Sequence, residues 1–140
     1  MAAIPPIDVQ TLGEDRQIFS STVTSNGDTG DIDFSKFKNG IIYIDTSNYI
    51  PNNGSIIFSI DYRNKLRTDY LNITNIGLNG ITSPKGIIFM FFPQPAGLSF
   101  PSDYMVINVF GNIFSNFYRI RWQLAGSSSV DVKIFATLKP

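Results

Sequence analysis

Three stretches of this chain alternate apolar and polar residues with a period of two, and that pattern limits the possible folds more than any other feature. Ile56, Phe58, Ile60 and Tyr62 share one side of a strand, while Ile57, Ser59, Asp61 and Arg63 fall on the other. Tyr118, Ile120, Trp122 and Leu124 alternate with Arg119, Arg121 and Gln123. Near the end, Val130, Val132, Ile134, Ala136 and Leu138 point one way, with Asp131, Lys133 and Thr137 opposite. No window combines helical spacing with caps. The pattern therefore predicts an all-β chain whose strand at 118–124 buries Tyr118, Ile120 and Trp122.

Between the strands stand the residues that break them. Asn-Gly pairs begin at Asn26, Asn39, Asn53 and Asn79, and each suits a type I′ hairpin or similar tight turn because both residues tolerate positive φ. Pro51, Pro84, Pro93, Pro95 and Pro101 add further breaks. Further strands are expected near 17–24, 32–37, 41–47, 70–76, 87–92 and 105–110, making eight or nine in an antiparallel β-sandwich of jelly-roll or Ig-like type. The run from Ile87 to Phe92 is apolar at every position. Such a strand is either covered on both faces or left with one face awaiting a partner. Residues 1–17 differ from the rest, since Pro5 and Pro6 cannot join a ladder, and they are read as an extended arm outside a sandwich domain spanning 18–140.

Composition removes most chemistry. The chain has 140 residues with no cysteine and no histidine. Thiol nucleophiles and disulfides are thereby excluded, along with the usual general base near neutral pH and the commonest metal ligand. Lys plus Arg and Asp plus Glu both number 11, so no net field draws the chain to nucleic acid or anionic lipid. The first ten residues have no basic region followed by a long apolar one, so no signal peptide is expected. Asp28, Asp31 and Asp33 crowd one turn and could offer oxygen ligands to Ca²⁺, but their spacing is not that of an EF-hand and Asp in turns commonly caps its own backbone. The sole glutamate, Glu14, lies in the arm, and Asp45 and Asp61 read as isolated outward positions. No catalytic, cofactor-binding or metal-binding set is expected, and the chain is read as a non-enzyme.

The order of segments has a precedent. FSSTVT is followed by a Gly- and Asp-rich turn, then IDFSKFKNGIIYIDTSN, GSIIFSIDYR and finally FYRIRWQLAGSSSVDVKIFATL. This resembles the small β-sandwich auxiliary or decoration (cement) proteins of tailed-phage capsids, over roughly residues 18–138; the proline-bearing arm and the stretch from Pro93 to Tyr104 depart from that pattern. The resemblance implies a structural virion protein on the capsid exterior, made in the host cytoplasm, whose partner is the major capsid protein and which forms a homo-oligomer, most often a trimer. Neck, tail or head-fibre components are the alternative within the particle. A carbohydrate-binding module is the alternative outside it, although the inward phase of Trp122 argues against a sugar platform.

On these grounds three places are expected to touch other proteins. The arm offers Ile4, Pro5, Pro6, Ile7, Val9 and Leu12; the apolar run offers Phe91 and Phe92; and the densest basic cluster offers Arg63, Lys65 and Arg67. Neither nucleic acid nor membrane is expected as a partner.

Overall fold

A computed structural model describes residues 13–80, 85–93, 97 and 99–140 of the chain. Every regular element among them is a strand: β1 (Glu14–Val23), β2 (Gly27–Asp28), β3 (Ile32–Asp33), β4 (Asn39–Ile50), β5 (Ser55–Arg63), β6 (Leu71–Asn79), β7 (Gly86–Met90), β8 (Tyr104–Asn108), β9 (Phe117–Ala125) and β10 (Ser129–Lys139). They form two sheets, one ordered β1-β10-β4-β7-β8 and the other β2-β9-β5-β6, with β3 also on β9.

The pairing order selects the jelly roll over the Ig-like alternative. β2 and β3 both run antiparallel to β9 and act as one interrupted strand; Gly30 at φ 70° separates them, and its N–H donates to the Asp28 carboxylate at 2.6 Å. With those two merged and β8 set aside, first pairs with last, second with next to last, and so on inward: β1 with β10, β2/β3 with β9, β4 with β7 and β5 with β6. A long hairpin rolled so that its β10 side meets β4 and its β9 side meets β5 is the double-Greek-key path of a jelly roll. β8 is an addition, parallel to β7. Parallel neighbours cannot be joined by a tight hairpin turn.

The core lies between the sheets and is built from the alternations. Ile56, Phe58 and Ile60 of β5, Tyr118, Ile120 and Trp122 of β9, and Val130 to Leu138 of β10 at every second position are all buried. Trp122 packs against Phe19 with ring centroids 4.7 Å apart, and its Nε1–H donates to the Ser25 carbonyl at 3.2 Å, so its polar atom is satisfied inside. Phe34, Phe91 and Tyr118 make a second aromatic cluster, and the Tyr118 hydroxyl accepts from the N–H groups of Phe114 and Ser115.

Three expectations require correction. The sandwich begins before the boundary set at residue 18, since Glu14, Asp15, Arg16 and Gln17 already pair with β10. None of the four Asn-Gly pairs makes a type I′ turn, since among the described residues positive φ occurs at Gly30, Asn48, Gly97 and Gly126, but Asn53-Gly54 does close a tight turn in which the Gly54 N–H donates to the Pro51 carbonyl at 2.9 Å. Gly54 also permits close approach, because a Cβ there would stand 2.2 Å from that of Ser127. Finally, β7 is covered on both faces: Ile87, Phe89 and Phe91 join the core, and the outward Ile88 and Met90 are buried as well. The apolar run is thus interior rather than an open face.

Candidate functional site

The contact residues expected from sequence separate into three groups. Ile4, Pro5, Pro6, Ile7, Val9 and Leu12 lie outside the described residues. Phe91 is wholly buried against Phe34 and Tyr118 and is a core residue, while Phe92 is half-buried beside it. The basic cluster is largely spoken for within the chain. Arg63 pairs with Asp31, donates to the Arg67 carbonyl at 2.6 Å and stands over the Phe117 ring at 4.8 Å; Arg67 pairs with Asp69 at 2.7 Å. Lys65 stands exposed.

Asp61 was read as an isolated outward position, and it is neither isolated nor exposed. It faces outward from β5, yet it is 1% accessible. Arg119 is its register partner on β9 and donates through Nε at 2.8 Å; Arg121, one pleat along, donates at 2.7 Å; Asn72 of β6 donates at 2.9 Å. Burial alone would raise the Asp61 pKa, but the hydrogen bonds from Arg121, Asn72 and Arg119 together hold it below the ordinary value. The Arg119 guanidinium lies 3.6 Å from the centre of the Tyr70 ring, and the Tyr70 hydroxyl donates to Asp31, which also takes Arg63. The outer face of this sheet is therefore a closed network of cations, carboxylates and rings that satisfy one another.

The three aspartates of the turn serve separate ends. Asp28 and Asp33 each accept from a backbone N–H two residues ahead, at Gly30 and Ser35, as turn-forming Asp does, and Asp31 belongs to the network just described. No three metal-ligating side chains converge among the described residues.

The opposite sheet presents a different surface, with adjoining cross-strand rows. Thr22, Asp131 and Ser47 form one row across β1, β10 and β4; Ser20, Lys133, Asp45, Gly86 and Tyr104 form the next and reach β8; Gln17, Phe135, Tyr43, Ile88 and Val106 form a third. Gly86 is required there, since a Cβ would lie 2.5 Å from the Tyr104 ring, which crosses above it so that its hydroxyl donates to Asp45. Burial and that carboxylate push the Tyr104 hydroxyl pKa well up. The first row and the Ser20-Lys133-Asp45 part of the second, with Asn48 in left-handed backbone at φ 54°, line a shallow depression of about 560 Å³. The Asp131 carboxylate is held by Thr22 and by Asn48 at 2.6 Å, and those two bonds hold its pKa below the ordinary range. A second hollow of about 380 Å³ shares Asp45 and adds Asp15, Gln17, Tyr43, Tyr104 and Phe135.

No family model, curated protein or solved structure matches this chain.

The site is thus defined by its own chemistry. The two hollows are open, lined by hydroxyls, carboxylates, two amides, an ammonium and a guanidinium, and bordered at one end by half-buried Tyr43 and Phe135. Such a surface suits recognition by hydrogen bonds and bridging water. The sequence reading placed Asp131 and Lys133 outward, and adding Asp45 and Tyr43 required the register between β10 and β4.

Proposed function

We propose that this chain is a structural protein of a tailed-phage particle, a decoration or cement protein that lays the outer face of the β1-β10-β4 sheet against the major capsid shell. The observation that carries the reading is the paired rows Thr22-Asp131-Ser47 and Ser20-Lys133-Asp45, an open polar surface of mixed charge with no enclosed cavity in it. A wet, polar contact of this kind is individually modest, and many copies on a closed lattice make it effective through avidity. The segment order resembles that of the decoration proteins, and the jelly-roll path is one that viral capsid domains use, although a path by itself does not specify a role. Interior positions, including Phe91 and Trp122, are spent on the core, which leaves the sheet faces, the strand edges and the arm for partners.

The test is co-sedimentation with empty capsids. The wild-type chain should pellet with them, and Asp131→Arg should weaken that binding about tenfold or more while leaving thermal unfolding in place. Absence of wild-type binding would overturn the reading, and a virion copy number near that of a single vertex would move the protein to the neck, tail or head fibre. A second reading rests on Tyr43 and Phe135, which are register partners flanked by polar groups and could stack on a sugar ring. Glycan-array binding lost in Tyr43→Ala would favour a carbohydrate-binding module instead.

A further inference from the structure

A two-sheet sandwich has four strand edges, and an edge exposes unpaired N–H and C=O groups that invite another strand unless something prevents it. Three of the four edges carry a recognised safeguard. β1 opens with the charged residues Glu14, Asp15 and Arg16 and contains a bulge between Gln17 and Phe19. β8 is only five residues long. The β2/β3 edge is broken into two pieces of two residues each.

β6 has neither the charges nor the brevity nor the break, and its one irregularity is confined to its start. It runs nine residues, LNITNIGLN, without a charge or a proline, and among the described residues nothing pairs with its far side. Its irregularity against β5 falls between Ile60 and Asp61, near its first residues, so the stretch from Thr74 to Asn79 is regular. Thr74 and Ile76 point to the interior side and are half-buried, which leaves the core incompletely closed along this edge. Leu71, at 54% exposure, stands at its start.

We infer that β6 is a self-association edge, at which two copies of this chain pair β6 to β6, antiparallel about a twofold axis, and join their sheets into one. A second copy is the occupant the strand fits. The strand carries no charge along its length, so nothing on it repels its own copy as an ammonium or carboxylate would, and Gly77, in the middle of the regular stretch, leaves room for a second backbone to approach. An isologous contact also satisfies both exposed edges at once and closes, with no edge left to propagate a fibre. This inference does not depend on capsid binding.

Gly77 supplies the test. It faces outward in the middle of the regular stretch, its φ is ordinary, and a Cβ added there would meet only Ile57, at 3.9 Å, so a side chain fits without strain on the fold. In sedimentation equilibrium over a concentration series, the full wild-type chain should show a reversible monomer–dimer equilibrium. Gly77→Lys should raise the dimer dissociation constant about tenfold or more with thermal unfolding of the monomer unchanged, Gly77→Asn should not, and a mixture of Gly77→Lys with Gly77→Glu should recover a dimer. A wild-type chain that stays monomeric at its highest soluble concentration would overturn the proposal. So would any oligomer that Gly77→Lys leaves intact.

Discussion

The outer faces of the two sheets are built on the same pleat and have opposite characters. On the β9-β5-β6 side Arg63, Arg119 and Arg121 are each paired with a carboxylate, and Asp61, facing outward by phase, ends as one of the least accessible groups in the molecule. On the β1-β10-β4 side the hydroxyls and carboxylates line open hollows, and Asp131 is held by two neutral donors rather than by a cation. Charge density is therefore a poor guide to where this protein meets others. The arginine-rich face stabilises the sandwich, whereas the sparser face keeps groups available.

That contrast can be broken most forcefully at Asp61. Asp61→Ala removes the carboxylate shared by Arg119 and Arg121 and should cost about 2–4 kcal/mol in equilibrium urea unfolding, because two guanidiniums and an amide lose their acceptor where water has limited access. A loss below about 1 kcal/mol would mean that the network is solvated and the two faces are alike.

A subtler measure is acid. The folded pKa of Asp61 lies below its unfolded value, so the stability it contributes is present above about pH 4 and is lost as the pH falls through the folded value. Wild type should therefore lose urea resistance between about pH 5 and 3 more steeply than Asp61→Asn, which has no carboxyl to titrate there. Parallel pH profiles for the two would remove Asp61 from the acid response.

The smallest effect is expected on the other face. Asp131→Ala gives up only bonds to Thr22 and Asn48 at an open surface, and the unfolding midpoint should stay within experimental error of wild type. A clear drop would show that the hollow is held together as tightly as the arginine face.

Strand phase was legible in the sequence, and with it the burial of Tyr118, Ile120 and Trp122, because alternation is a property of a single strand that neighbours can only reinforce. What neighbours bring was not legible. The alternation of β5 placed Asp61 outward correctly; its burial follows from Arg119, Arg121 and Asn72, which reach it only through the register of β5 with β9 and β6. Arg63 and Arg67 read as a basic patch because Asp31, the partner of Arg63, lies far along the chain, and the Arg67–Asp69 pair forms only in the folded turn. The Asn-Gly pairs looked like hairpin turns because the dipeptide tolerates positive φ, whereas at Gly54 the demand is room for Ser127, a contact between residues distant in sequence.

The amino-acid order by itself determined an all-β chain, the strand phases, the apolar interior and the absence of thiol and imidazole chemistry, all of which are local or compositional properties. Tertiary structure decided the rest: the jelly-roll path, the covering of both faces of β7, the closure of the arginine face, the opening of the β1-β10-β4 face and the place of β6 at the edge of its sheet among the described residues. Each of these depends on which strand lies beside which. A residue's phase says only which way its side chain points, and the elements packed around it decide whether that direction ends in core, in a partner or in water.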